Sequence, residues 1–208
     1  MSLIEPVQPL TRPRKPTAAE RRAVAETLAA AFFDDPVIRW AWHNPQRRRQ
    51  ILPDFFELMV TGSLAHDEVY TTDDLAGAAL WLPPAALQPS DGEAADFAAA
   101  VERVTHEFTP AVLQLFATLE EHHPHEPHYY LPIIGTRPEH QGRGIGSALL
   151  APVLERCDQD EVPAYLEATS ERNQALYVRH GFQVTDEIPL PGGPTLWAMW
   201  REPAAIRN

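Results

Sequence analysis

The chain has 208 residues, 44% of them hydrophobic, and a formal net charge of −12. This length and composition favour a single domain, residues 1–208, with one core. The acidic balance argues against nucleic acid as a partner and favours a cationic small molecule or a basic peptide. No stretch approaches the ~20 apolar residues of a membrane span, and no signal peptide is recognisable. Cys157 is the only cysteine, which excludes an internal disulfide, so we expect a cytoplasmic protein without a membrane partner.

The first third of the sequence predicts mainly helix. Residues 1–16 are rich in proline and arginine and are expected to be extended, with at most a short edge strand near 7–11. Thr17 and Glu20 have the spacing of a capping box, and Asp35 can cap a second helix that begins at Pro36. Apolar residues at helical spacing predict helices over residues 17–33, 36–42 and 47–60.

The middle of the chain predicts two strands followed by a helical segment. The strands are expected at 68–72 and 75–82, and the second is almost entirely apolar, as a central strand would be. The composition then shifts to Ala, Glu, His and Pro over residues 85–127. We interpret that segment as a helical insertion or lid, with helices near 93–108 and 111–121.

Four histidines lie close together at the end of that segment: His122, His123, His125 and His128. A metal site is one interpretation of such a cluster. Only one cysteine exists, however, and the spacing matches no familiar zinc pattern. We therefore favour a solvated linker and predict no metal.

The last third predicts alternating strands and helices. Strands are expected at 128–136, 163–168, 182–188 and 196–201, helices at 143–160 and 172–180, and a loose tail at 204–208. The strand–helix–strand unit over 128–168 implies that its two strands are parallel. Pro132 lies inside the first of them and cannot donate a ladder hydrogen bond. We therefore expect that strand to bulge or to part from its neighbour near Pro132.

A glycine-rich stretch joins the strand at 128–136 to the next helix. Gly142, Gly144 and Gly146 lie at this junction, where unpaired amide groups and the positive end of the helix dipole point at one place. Such a place binds phosphate, and glycine has no Cβ to keep a ligand away from the backbone. Three side chains flank it and could compensate an anion: Arg137, His140 and Arg143.

Two familiar phosphate loops do not match this stretch. A nucleoside triphosphate loop requires a lysine that is missing here, and a dinucleotide fingerprint requires a glycine where Ser147 stands. What remains is the pattern Gln141-x-x-Gly144-x-Gly146, which resembles the cofactor-binding motif of the GNAT superfamily of N-acetyltransferases. A glycine-rich turn without a ligand is the alternative interpretation.

A second stretch strengthens the resemblance. Arg172-Asn173, Leu176-Tyr177 and His180-Gly181-Phe182 are similar to the second motif of GNAT enzymes, and within that superfamily the chain resembles puromycin N-acetyltransferases. The resemblance implies a mixed α/β sheet flanked by helices, with two central parallel strands that splay apart and acetyl-CoA in the gap. The cofactor-binding residues implied are Ile134, Gly135, Thr136, Gln141, Gly142, Arg143, Gly144, Ile145, Gly146, Ser147, Asn173 and Tyr177.

Acetyl transfer to an amine requires a base that removes a proton and an acid that protonates the departing thiolate. Glu167, near the end of the strand at 163–168, is our first candidate for the base; Glu139 and His140 are weaker ones. A structural carboxylate is an equally open interpretation of Glu167. By resemblance, Tyr177 donates a proton to the departing sulfur, and the alternative is that it packs against the loop.

The predicted function is transfer of an acetyl group from acetyl-CoA to a primary amine of a small molecule, with an antibiotic such as puromycin as one candidate. Two alternatives stay open. One is a catalytically silent module that binds coenzyme A, and the other is an acetyltransferase acting on protein N-termini or lysines. The apolar last strand, with Trp197, Met199 and Trp200, also leaves a homodimer open.

Overall fold

The computed structural model describes residues 12–205. The edge strand expected near 7–11 and most of the tail expected at 204–208 lie outside the described residues. At the start of the described chain, Arg14 forms an isolated antiparallel bridge with Thr71, with N–O distances of 2.8 Å in both directions. The extended N-terminal segment therefore reaches the sheet at residue 14.

Seven α-helices and six strands make up the described chain. The helices are α1 Arg21–Phe32, α2 Pro36–Ala41, α3 Pro45–Leu64, α4 Asp91–Thr105, α5 Thr109–His122, α6 Ile145–Asp160 and α7 Glu171–Arg179. The strands are β1 Val69–Thr71, β2 Gly77–Leu82, β3 Tyr129–Thr136, β4 Ala164–Ala168, β5 Gln183–Pro189 and β6 Thr195–Arg201. The predicted elements that fall within residues 12–205 are all present, with shifted ends.

The helix ends follow from local capping chemistry. Thr17 and Glu20 form the expected capping box at the turn that precedes α1. The Asp35 side chain accepts hydrogen bonds from two amides of α2, whose first residue is a proline. The third helix was expected to begin at Arg47 but begins at Pro45, because the Asn44 side chain accepts hydrogen bonds from the amides of Gln46 and Arg47.

The strands form one mixed sheet in the order β1-β2-β3-β4-β6-β5. In the described part of the chain its only parallel pair is β3 with β4, where the paired residues are Tyr129–Ala164 and Tyr130–Tyr165. Beyond Tyr130 the two strands part. On the other side of β3 the register with β2 shifts between Leu80 and Leu82, which face Ile133 and Tyr130. One extra residue therefore bulges on β3 next to Pro132, and the expected bulge and parting of the strands are both present.

Helices cover both faces of the sheet. Helices α1 to α5 pack on one face, with a core that includes Leu28, Phe56 and Leu80. Helices α6 and α7 pack on the opposite face around residues such as Leu149 and Tyr177. This arrangement confirms the predicted fold class, a mixed α/β sheet with a splayed central parallel pair.

Helices α4 and α5 occupy the segment that we interpreted as an insertion or lid. Val101, Phe108 and Val112 from this segment are buried in the same core as α1 and α3. Most other residues of α4 are exposed to solvent. Whether the segment acts as a lid stays a prediction. Across residues 12–205, no helix is both long enough and apolar enough to cross a membrane.

Candidate active site

The gap between β3 and β4 opens at the edge of the sheet where both strands end. Because the two strands are parallel, their carboxyl ends lie side by side, and each is followed by a connection to a helix, α6 after β3 and α7 after β4. Both helix N-termini therefore lie at the open end of the gap. In open α/β sheets this is the common position for a ligand.

The N-terminus of α6 has no side-chain cap. Its N-cap residue is Gly144 in the left-handed conformation, with φ 82°. Within residues 12–205, the first-turn amides of Ile145, Gly146 and Ser147 have no hydrogen-bond acceptor. A Cβ placed on Gly142, whose φ is 77°, would have no neighbour within 4 Å. Free amides and an open approach are what a phosphate group requires.

Side chains of the loop brace its backbone. Gln141 donates from Nε2 to the carbonyl of Thr136 at 3.2 Å, and Arg143 donates from Nη2 to the carbonyl of Glu139 at 3.2 Å. Arg137 donates from Nε to the hydroxyl of Thr27 on α1 at 3.0 Å. Gln141 and Arg143 are exposed, so both remain available beside the free amides.

Ile134, Gly135 and Thr136 of β3 were predicted to contact the cofactor. Their amides do not all point in the same direction. Arg137 donates its backbone N–H to Ala76 at 2.9 Å, and hydrogen-bonded pairs alternate along an antiparallel ladder. Gly135 therefore bonds to β2, whereas Ile134 and Thr136 direct their amides toward the gap. A Cβ on Gly135 would lie 2.8 Å from Ala31, so the packing of α1 already requires a glycine there, and the predicted contact of Gly135 with the cofactor stays a prediction.

Helix α7 packs closely against the start of α6. A Cβ on Gly146 would lie 3.1 Å from a methyl group of Leu176. Ser147 Oγ and His180 Nε2 are 2.9 Å apart and form a hydrogen bond. Burial and the neighbouring arginines Arg179 and Arg201 lower the pKa of His180, in that order of effect. These contacts fix the position of α7, and hence of Tyr177, relative to the free amides of α6.

Tyr177 lies in the core between α7 and the sheet. Its side chain is 6% exposed and packs edge-on against Phe182, with ring centroids 6.0 Å apart. Among residues 12–205 its hydroxyl has no hydrogen-bond partner. Burial, followed by the charge of Asp35, raises the pKa of Tyr177 well above its ordinary value. The hydroxyl is therefore protonated at neutral pH and has a proton to donate.

A chain of polar contacts ties α7 to the N-terminal helices. Asn173 donates from Nδ2 to Thr169 Oγ1 at 3.3 Å, and Thr169 donates its hydroxyl to Asp35 Oδ2 at 2.5 Å. The other Asp35 oxygen accepts the amides of Val37 and Ile38. Burial raises the pKa of Asp35, while these hydrogen bonds oppose the rise. Asp35 thus caps α2 and holds the end of β4.

Glu167 lies on β4 just beyond the last residue paired with β3. Tyr130 donates its hydroxyl to Glu167 Oε2 at 2.9 Å, and the second oxygen, Oε1, is buried and has no hydrogen-bond partner within residues 12–205. Burial raises the pKa of Glu167 to about 7, and the hydrogen bond from Tyr130 opposes the rise. A carboxyl group that titrates near neutral pH suits a general base.

The weaker candidates for the base lie elsewhere. Glu139 and His140 belong to a single turn, Pro138–His140, that follows β3, and Glu139 is exposed. Glu139 uses its backbone carbonyl to hold Arg143. Neither has a hydrogen bond to Glu167 among the described residues.

The histidine cluster forms an aromatic contact network. His123 lies against Tyr130 and Tyr165, with ring centroids 4.7 and 5.1 Å apart, and burial lowers its pKa to about 4. His128 is fully buried and bonds through Nδ1 to the carbonyl of Glu126 at 2.6 Å. Over residues 12–205, no three potential metal ligands lie close enough to hold an ion. His123 and His128 are therefore packed against tyrosines of the sheet and do not belong to a solvated linker, whereas His125 between them is exposed.

Sequence reasoning missed three polar residues of this site. Asp35 was predicted only as a helix cap, and Tyr130 and Thr169 were given no role. The alternation of β4 places Glu167 and Thr169 on one face, which could have pointed to Thr169. The contacts of Asp35 and Tyr130 depend on tertiary packing and had no local signal.

Comparisons with known proteins agree with this geometry. The model of the acetyltransferase (GNAT) family matches residues 90–182. The matched residues include the glycine-rich junction before α6 and the whole of α7. The chain is an acyltransferase, and members of the GNAT family generally use acetyl-CoA as cosubstrate.

Individual relatives extend the match over most of the chain. An uncharacterized N-acetyltransferase of Schizosaccharomyces pombe is 29% identical over 192 residues, covering 83% of this chain and 74% of the relative. A crystal structure described as histone acetyltransferase HPA2 and related acetyltransferase from Corynebacterium glutamicum has a TM-score of 0.68 and 27% identity, covering 96% of this chain and all of that one. The polyamine N-acetyltransferase of Drosophila melanogaster, with 15% identity, a TM-score of 0.62 and coverage of 91% and 98%, shares the fold.

Proposed function

We propose that this acetyltransferase moves an acetyl group from acetyl-CoA to a primary amine of a small molecule. The observation that carries the proposal is the placement of Glu167, whose pKa is raised to about 7, at the point where β3 and β4 part. A base at this position lies beside the gap that a cofactor would fill. The free amides at the start of α6 provide a place for its diphosphate.

The residues of the gap fit acetyl-CoA, which supplies an acetyl group activated as a thioester. Gly142 has open space where a Cβ would lie, which leaves room for phosphate oxygens next to the backbone, and the uncapped amides from Ile145 to Ser147 would donate to them. Arg143 would add positive charge. The amides of Ile134 and Thr136 would hydrogen-bond the pantetheine arm or polarise the acetyl carbonyl.

Two proton transfers complete the proposed chemistry. Glu167 Oε1 would accept a proton from the ammonium group of the acceptor, because it is the carboxylate oxygen without a partner. Tyr177 would donate its hydroxyl proton to the departing sulfur, because the hydroxyl is protonated at neutral pH and α7 places it next to the start of α6. Asn173, one turn before Tyr177, would hold the pantetheine arm from α7.

The acceptor is proposed to be a cationic small molecule. Two carboxyl groups, Glu167 and Asp35, lie along the end of β4, and the whole chain carries a net charge of −12. Puromycin remains a candidate on the sequence resemblance. A protein amine is a second candidate, supported by the histone acetyltransferase description of the Corynebacterium glutamicum structure.

The test is release of free coenzyme A thiol from acetyl-CoA in the presence of different amines. A panel of puromycin, an aminoglycoside, a polyamine and a lysine-rich peptide separates small-molecule from protein acceptors. Thiol release with one of the small amines supports the proposal, and release with the peptide alone favours the second candidate. If no amine gives release while acetyl-CoA still binds, the silent module is favoured instead.

A further inference from the structure

The hydroxyl of Tyr130 fixes one oxygen of Glu167 and leaves the other free. The Tyr130 Oη to Glu167 Oε2 distance is 2.9 Å, whereas Oε1 is buried and has no partner among residues 12–205. A carboxylate held in this way presents a defined lone pair. The position of Tyr130 is itself fixed, since Tyr130 faces Tyr165 in the last pair before β3 and β4 part.

Several features of the fold make this contact specific to Tyr130. The bulge next to Pro132 ends the regular alternation of β3 just after Tyr130. Tyr130 pairs with Tyr165, and Glu167 follows Tyr165 by two residues on β4, so Tyr130 and Glu167 lie on the same face of the sheet. Tyr129 lies on the opposite face, in the core around α6. The ring of His123 packs edge-on against Tyr130, with centroids 4.7 Å apart, which restrains the ring and its hydroxyl.

We propose that Tyr130 is a positioning residue for Glu167: its hydroxyl orients the carboxylate so that Oε1 takes the acceptor proton, and it stabilises the ionised form. The proposal rests on the proposed role of Glu167 as base. Tyr130 itself exchanges no proton with the acceptor. It donates to an oxygen that carries negative charge, and such a bond stabilises the charged state.

Other titratable groups surround this pair. They are Tyr165 on β4, Asp35 on the far side of Thr169, Glu120 and His123 at the end of α5, His128 before β3, and Asp186 on β5. Burial lowers the pKa of His123 to about 4, so it stays neutral near pH 7. Burial raises the pKa of Asp35, so this carboxyl is the one that could mimic Glu167 in a pH profile. The variant Asp35→Asn separates the two.

The experiment compares Tyr130→Phe with the matched control Tyr129→Phe, which removes a hydroxyl from the adjacent residue on the opposite face. The pH dependence of kcat is measured at saturating acetyl-CoA and acceptor for both variants and the unchanged protein. We expect Tyr130→Phe to move the acidic limb to higher pH by about one pH unit, the effect of losing one charge-assisted hydrogen bond. Tyr129→Phe should leave the limb in place.

A second readout does not depend on turnover. The side-chain carboxyl of Glu167 is titrated by ¹³C NMR in the free protein, with Glu167→Gln used to assign its signal. Tyr130→Phe should raise the midpoint of that signal, and Tyr129→Phe should not. An unchanged midpoint in a folded Tyr130→Phe variant would overturn the proposal.

The two levels of inference fail in different ways. If Glu167→Gln retains the acidic limb of kcat, Glu167 is not the base and the proposed mechanism fails. If Glu167→Gln abolishes the limb while Tyr130→Phe leaves both limb and midpoint unchanged, only the positioning role of Tyr130 fails. If Tyr130 has only a structural role, Tyr130→Phe would lower the free energy of unfolding and would move neither the acidic limb of kcat nor the NMR midpoint of Glu167.

Discussion

Replacement of Glu167 by glutamine should stabilise the protein at alkaline pH. In the folded state the pKa of Glu167 is about 7, compared with an ordinary value of 4.5. Because the folded pKa is raised, the folded state binds the proton more tightly than the unfolded state does. Stability is therefore lost as the pH rises from 4.5 through 7, and the loss is complete above 7.

The magnitude follows from the two pKa values. Each pKa unit corresponds to about 1.4 kcal/mol. Ionisation of Glu167 therefore lowers the free energy of unfolding by about 3 kcal/mol at pH 8. Glutamine has nearly the same shape and cannot ionise. We subtract the free energy of unfolding of the unchanged protein from that of Glu167→Gln at each pH. This difference should be about 3 kcal/mol larger at pH 8 than at pH 4.5.

Urea unfolding at pH 4.5 and pH 8 measures this difference directly. Glu187→Gln is the matched control, because Glu187 is an exposed glutamate on the neighbouring strand β5. Its stability difference should be the same at both pH values. If Glu167→Gln also gives equal differences at both pH values, Glu167 has an ordinary pKa and the reasoning about its burial is refuted.

Three further predictions concern other parts of the site. Tyr177→Phe should lower kcat by about a hundred-fold, the usual effect of losing a general acid, while calorimetry finds the affinity for acetyl-CoA nearly unchanged. Gly144→Asp should abolish calorimetric binding of acetyl-CoA because it places a negative charge at the start of α6; Gly192→Asp, at a left-handed glycine in the β5–β6 turn, is the control for backbone strain. Asp35→Ala should lower the free energy of unfolding by about 1–2 kcal/mol because it removes the cap of α2, whereas Asp35→Asn keeps the cap and should lower it less.

Each of these has an outcome that would contradict it. Unchanged kcat in Tyr177→Phe would remove Tyr177 from the chemistry. Retained binding in Gly144→Asp, or equal loss in Gly192→Asp, would argue against a phosphate site at α6. If Asp35→Ala and Asp35→Asn destabilise the protein equally in urea, the charge of Asp35 stabilises the fold and its capping hydrogen bonds do not.

Much of the fold could be predicted because its signals are local. The capping residues Thr17 and Asp35 begin their helices, and apolar spacing identifies α6 and the paired strands β5 and β6. Pro132 was informative because a proline inside a strand must be accommodated by a bulge or a gap, and the structure has both. The glycine-rich junction before α6 could also be predicted locally, because the backbone conformation at the junction favours glycine.

The contacts of the site could not be predicted in the same way. Tyr130 and Glu167 are 37 residues apart, and Asp35 and Thr169 are 134 apart, so only the packed sheet brings them together. Gly135 shows another limit of sequence reasoning. Its place in a family motif suggested a cofactor contact, and the structure adds a second reason for a glycine, because the close approach of α1 excludes a side chain there. A glycine in a motif therefore has two possible causes, and sequence alone does not separate them.

We propose that acetyl-CoA occupies the gap between β3 and β4 with its diphosphate on the amides at the start of α6. A crystal structure of the complex with acetyl-CoA is the decisive experiment. We expect diphosphate oxygens within hydrogen-bond distance of the amides from Ile145 to Ser147, and the acetyl group between Glu167 and Tyr177. Acetyl-CoA bound elsewhere on the protein, with these amides still free, would contradict it.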